Sequence, residues 1–265
     1  DIRCAAWHWA VDEHEVALLA PGIHALFLFC DVSGSFSTGT TLFSRAAAEL
    51  HLALPDHTAN QAALQALYGN ALIRLGACEV RLGDIANGEQ HLQDGLLRRP
   101  ADQERSFALI QLGSAAAHRG ELALAGACFE ESLAVSQRCN DMAGKAEALN
   151  HFALGASDFA EACRRCTESL ALWRQVGRPD RIAGLLTDLA WNTWCAGDYA
   201  SAAAYWREGL NLIEQLDLPN ERAWVLDCIG VAAWADGRMA FAEQCVREAL
   251  AVYTDLGHQM GIGMC

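Results

Sequence analysis

Five stretches of this chain say nearly the same thing at nearly constant spacing: GDIANGEQHLQDGL from residue 83, GELALAGACFEESL from 120, SDFAEACRRCTESL from 157, GDYASAAAYWREGL from 197 and GRMAFAEQCVREAL from 237. The starts lie 37, 37, 40 and 40 residues apart. Self-similarity at that period implies a stacked array in which each unit buries its apolar face against its neighbours. Before each turn, apolar or small residues recur at helical spacing, as in Leu109, Leu112, Gly113 and Ala116, or Leu226, Ile229, Gly230 and Ala233. After each turn the pattern runs small, large, small: Ala125, Phe129, Ser132, then Ala202, Trp206, Gly209, then Ala242, Val246, Ala249. Each unit therefore reads as a helical hairpin. VGRPDR at 176 and LDLPNE at 216 read as turns between hairpins, with Asp180 and Asn220 after Pro179 and Pro219 expected to cap the next helix.

Composition supports an all-α chain. Hydrophobic residues make up 52% and charged ones 20%, enough apolar material for a folded core. Prolines number 5, β-branched residues are sparse and Ala and Leu abound, so no sheet is expected. The net charge is −14 and Lys145 is the single lysine among scattered arginines, which argues against direct nucleic-acid binding on this segment. The acidity reads as solubility, and the near absence of lysine points to a GC-rich bacterial genome. Eleven cysteines without an even framework read as reduced thiols and a cytoplasmic location. The longest apolar run, 16–30, contains Pro21 and His24 and is too short to span a membrane. The closing GHQMGIGMC reads as the opening of another helix, so a fragment of something larger is expected.

The Gly-Asp turn, the alanine five residues after its glycine, the aromatic residue four later and the small residue before the final leucine resemble the tetratricopeptide repeat over about residues 59–257. That resemblance implies an all-α, right-handed superhelical solenoid of antiparallel helix pairs. Units of 37 to 40 residues exceed the 34-residue form and resemble the arrays of bacterial signal-transducing ATPases of the STAND class, including MalT-like and LuxR-type regulators. The opening DIRCAAWHWAVDEHEVALLA and the following LFLFCDVSGSFSTGTTLFSRAAAEL are similar to the helix and first hairpin that follow the nucleotide-binding region in such proteins. Gly34, Ser35 and Phe36 stand where later units carry Gly-Asp-Tyr. The expected organisation is a helix and degenerate hairpin over 1–58, with a loop at 52–61, then five repeats over 59–257 and the start of a further repeat over 258–265. One unit lacks three residues before its turn, which predicts a shortened first helix near 150–156.

No catalytic, cofactor or metal motif is recognisable. Cys163 and Cys166 form a CxxC, but no second pair accompanies it and Cys166 falls on the core column of Phe129 and Trp206, so a packing role is expected. Cys128 and Cys245 share another column. The DEHE stretch at 12–15 has no partner cluster, and Gly144-Lys145 lacks the rest of a phosphate loop. Enzymatic activity is not expected.

The tetratricopeptide resemblance also implies inward-facing positions on the first helices. In the last two complete units these hold Trp191, Trp194, Trp224, Asp227 and Trp234, and tryptophan is enriched at binding hot spots. These five residues are the candidate concave binding surface, with burial of the rings between units as the competing reading. The positions that hold Lys and Asn in carboxylate-clamp members of the family here hold Ile73, Ala77, Ile110, Ser114, Thr187 and Trp191, which argues against that specificity. The resemblance implies a protein-interaction or ligand-sensing arm of a larger STAND-type signalling and transcription regulator, taking a protein, peptide or small-molecule inducer in its groove. The alternative is a free-standing scaffold that assembles partners or self-associates through its repeat ends.

Overall fold

A computed structural model describes residues 2–13, 15–54, 61–154 and 158–265. The loop expected at 52–61 lies mostly outside these, as do His14 and 155–157. Among the described residues every regular element is a helix, and 87% of them are helical. A leading helix, α1 (Ile2–Asp12), precedes six hairpins: α2 (Val16–Ser33) with α3 (Phe36–Ala53), α4 (Gln61–Arg81) with α5 (Ile85–Leu97), α6 (Asp102–His118) with α7 (Leu122–Arg138), α8 (Met142–Leu154) with α9 (Phe159–Val176), α10 (Pro179–Cys195) with α11 (Tyr199–Leu216), and α12 (Pro219–Ala235) with α13 (Met239–Leu256). A short α14 (Gln259–Met264) closes the chain. The fold is a right-handed superhelical solenoid of the tetratricopeptide type.

The turns follow from backbone chemistry. Gly83, Gly120, Gly197 and Gly237 adopt φ of 87°, 77°, 91° and 76° between the two helices of their hairpins, a region that costs a residue with a Cβ and is free to glycine. Asp158 and Asp198 then cap the second helix, accepting from Ala160 N at 2.9 Å and Ser201 N at 3.1 Å. Between hairpins, Asn140, Gly177, Asp217 and Gly257 take the left-handed conformation. Pro179 and Pro219 are themselves the first helical residues of α10 and α12. Asp180 and Asn220 therefore lie inside the first turn and are not the caps anticipated from sequence. Proline fixes the start because its φ is preset for the first helical position, where a missing N–H loses nothing.

The two 37-residue spacings have different origins. The first comes from α5, a second helix of 13 residues against 17 or 18 in α7, α9, α11 and α13. The second lies on α8, a first helix described over 13 residues where α6, α10 and α12 have 17; the rest of the stretch anticipated as shortened falls outside the described residues.

The core runs between hairpin layers. The small column after the turn, Gly88, Ala125, Ala162, Ala202 and Ala242, is buried throughout, as is the column Gly95, Ser132, Ser169, Gly209 and Ala249. Between them Leu92, Phe129, Cys166 and Trp206 are buried, and Val246, at the end of the stack, is half-buried. Close helix approach depends on the small residues. A Cβ on Gly76 would lie 2.5 Å from the Gly88 carbonyl oxygen, and one on Gly95 would lie 2.8 Å from that of Gly69. Cys166 packs among Ala162, Leu170 and Leu186, and burial pushes its thiol far up.

The array turns back on itself. Helix α2 touches α4 on one side and α12 on the other. Phe36 and His258 approach to 6.2 Å between ring centroids, and Gly34 is so close to Leu256 that an added Cβ would sit 3.0 Å from its Cδ2. Six first helices thus enclose a central space.

Candidate functional site

The lining of that space follows from register. Take Gly76, Gly113, Ala153, Ala190 and Gly230 as the small residue of each first helix in the five repeats. Nine residues earlier stand Leu67, Glu104, Gly144, Arg181 and Glu221; six earlier, Asn70, Phe107, Glu147, Gly184 and Trp224; two earlier, Arg74, Gln111, His151, Asp188 and Cys228. On an α-helix these offsets fall on one side, and that side carries charges among apolar neighbours.

The structure joins these charges across the space. Arg181 on α10 donates from Nη2 to Asp31 Oδ2 on α2 at 2.5 Å, and its Nη1 lies 3.5 Å from Glu147 Oε1 on α8. Burial opposes the Arg181 charge, but Asp31, Glu147 and Asp180 hold it. Burial likewise opposes ionisation of Glu147, yet Arg181 and His151 bring its pKa down to about 2. Glu221 is the exception: burial and the negative charge of Asp31 raise it to about 7, and its Oε2 has no hydrogen-bond partner.

A second group lies beside the first. Arg74, 3% exposed, donates from Nη2 to Glu104 Oε1 at 2.9 Å. Its guanidinium carbon is 3.9 Å from the Phe107 ring centroid and 5.1 Å from that of Phe27. The two rings meet edge to face at 5.2 Å. Asp31, Glu147 and Arg181 of the first group and all of the second line one cavity of about 470 Å³, bounded by α2, α4, α6, α8, α9 and α10, within the size range of small-molecule and peptide-end sites.

The five residues expected on the concave wall are divided. Trp191, Trp194 and Trp224 lie half-buried against one apolar cluster of α10–α12, against which Val32 of α2 also packs. Trp191 and Trp194 stack at 5.5 Å, and Trp224 Nε1 donates to Asp188 Oδ1 at 2.9 Å. Burial raises the Asp188 pKa, which this bond and the Asn150 amide at 2.9 Å oppose. Asp227 is buried, and burial followed by the Asp227 charge pushes the Tyr253 phenol up. Trp234, 62% exposed, stands on a different surface, an apolar cleft of about 370 Å³ formed with Val231, Met239, Ala242 and Val246 of the last hairpin.

Asp31, Arg74, Glu104, Glu147 and Arg181 were not singled out from sequence. The signal available was the polar run Arg74, Gln111, His151, Asp188 at a position that should be buried; Asp31, outside the five repeats, gave none. Among the described residues no group of three His, Cys, Asp or Glu side chains could hold a metal ion, and no helix is long and apolar enough to cross a membrane.

No family model matches the sequence, and no curated protein matches it. Solved structures do. A Rap protein complexed with competence and sporulation factor superposes with a TM-score of 0.64 at 10% identity, covering 98% of this chain and 78% of that one. BtubC from P. vanneervenii gives 0.60 at 17%, covering 84% and 92%. A STAND protein with a tetratricopeptide repeat sensor, PH0952 from Pyrococcus horikoshii, gives 0.57 at 13%, covering 94% of this chain and 42% of that one. At these identities the likeness is one of fold.

Proposed function

We propose that this chain is a non-catalytic, ligand-sensing or protein-interaction arm whose ligand occupies the central space. The observation that carries this reading is convergence: charged side chains from α2, α4, α6, α8 and α10 meet at one cavity. An occupant there touches first helices of five hairpins at once, so it has different contacts in an open and a closed ring. Differential contact is what a population shift requires. A protein, peptide or small-molecule inducer meets the requirement. The STAND protein's repeat sensor and the Rap complex, both similar in fold, support the sensing role. We place the arm in a larger cytoplasmic STAND-type regulator of transcription, in which the ring restrains a neighbouring ATPase until the inducer shifts it. Hydrogen exchange tests the switch: saturating ligand should change protection at the α2–α3 turn and at α14, and unchanged protection there would refute it. A phosphate-loop motif in the native gene upstream of Asp1 is the expected companion; a start codon close by would remove the regulator context.

A second reading is favoured by the apolar cleft at Trp234. Exposed clefts of this kind at the end of a solenoid associate with like surfaces. A scaffold that self-associates there would show a concentration-dependent mass in light scattering, and a monomer at all concentrations would exclude it.

A further inference from the structure

We propose that the cavity of the inner ring is a carboxylate site, in which Arg74 receives the acid group of a ligand whose apolar body lies against Phe107, Ile110 and Trp173. The inference rests on the central space being the ligand site, and it names the chemistry of that ligand.

Arg74 is 3% exposed, yet only its Nη2 has an acceptor; Nε and Nη1 have none. A buried guanidinium with two idle N–H groups, on a side chain that borders a cavity, leaves donors in want of an acceptor, and a carboxylate is the best match for its charge and geometry. The neighbouring aromatic rings fix the plane of the guanidinium, so the donors are pre-oriented and little freedom is lost on binding. The protonated form of His24, also on the cavity wall, is disfavoured by burial and by the positive charges of Arg74 and Arg178. The other acids on the wall are occupied: Asp31 and Glu147 pair with Arg181, Glu104 pairs with Arg74 itself, and Asp141 accepts from the Gly144 amide at 3.0 Å. Arg74 is therefore the donor left over, and the remaining wall is mostly apolar.

The position also differs from the clamp positions of peptide-tail receptors in this fold. Those map here to Ile73, Ala77 and their counterparts, whereas Arg74 lies one residue on and is held between helices.

N-acetyl-L-phenylalanine and its amide are a matched pair of probes, equal in shape and different in charge. Titration of the intact chain, followed by tryptophan fluorescence and by calorimetry, should show the acid binding at least tenfold more tightly than the amide. Equal affinity of the two, or no binding by either, overturns the inference. Arg74→Gln should lower the acid's affinity to that of the amide. Arg74→Lys keeps a positive charge if the glutamine variant fails to fold, and should retain part of the preference. A pentapeptide ending in a free phenylalanine separates sources: tighter binding than the small acid assigns the site to a peptide end, weaker binding to a free organic acid, and both carry the same chemistry. If acid and amide bind alike yet protection at the α2–α3 turn and α14 changes, the sensing role stands and the carboxylate assignment falls.

Discussion

Gly76 offers the sharpest test of how the hairpins pack. Replacing a helical glycine with alanine gains about 1 kcal/mol of helix propensity when nothing else changes. At Gly76 something else must change: the new Cβ would lie 2.5 Å from the Gly88 carbonyl oxygen, 2.9 Å from Leu92 Cγ and 3.0 Å from Leu92 N. Two of those three atoms are backbone, so relief requires α4 and α5 to separate. Overpacking of this kind costs about 1–3 kcal/mol, and more where backbone must move. Gly76→Ala should therefore lose about 1–2 kcal/mol net. Gly126→Ala is the control, because Gly126 sits within α7 with nothing inside 4 Å of its added Cβ; it should gain about 0.5–1 kcal/mol. Urea unfolding with m unchanged measures both. Two shifts of the same sign would refute the claim that close approach is what the glycine in α4 supplies.

The contacts of the first hairpin with the last two are sensitive to charge and pH. Asp31→Asn strips Arg181, on the fifth hairpin, of its 2.5 Å partner; removing the whole partner set of a buried charge costs about 3–5 kcal/mol, and with Glu147 still 3.5 Å away about 1–3 kcal/mol should be lost, read as faster amide exchange at the α2–α3 turn and at the start of α10 with α6–α7 unaffected. His258 Nδ1 accepts the Gly261 amide at 3.0 Å, and burial together with Arg81 and His118 lowers its pKa to about 4. The folded state then binds fewer protons than the unfolded chain, so stability present above 6.5 is lost as pH falls from 6.5 toward 4; exchange in α14 should rise across that window, and a pH-independent α14 would contradict it. Glu221 acts in the opposite sense. With its pKa raised to about 7, its contribution is lost as pH climbs from 4.5 through 7. Glu221→Gln should therefore stabilise by about 3 kcal/mol at pH 8 and leave stability at pH 4 unchanged, measured by urea unfolding at both values. At the free end, Trp234→Glu should abolish any concentration-dependent association seen by light scattering without changing the circular dichroism.

Much of this protein is legible in its sequence because each repeat encodes the same local physics. The turn glycines need a left-handed backbone, the small residues at Gly88, Ala125, Ala162, Ala202 and Ala242 permit close approach, and the large residues four positions later fill the layer between. Such relations are short-range and recur, so register alone places the helices and the core. Helix caps were less legible: Asp180 and Asn220 look like caps by residue type, but the preceding proline takes the first helical position.

The central site was decided by tertiary structure. Asp31 and Arg181 are 150 residues apart, and no period in the sequence links a degenerate first hairpin to the fifth. Their meeting depends on how much the chain rotates per hairpin, a small angle set by packing at each interface and summed over the four interfaces between the first hairpin and the fifth. The same summation carries Val32 onto the apolar cluster against which Trp191, Trp194 and Trp224 also pack and leaves Trp234 exposed at the end of the stack. The sequence determined the unit and its repetition; only the accumulated curvature of the stack determined that the ring closes, and so which side chains face one another inside it.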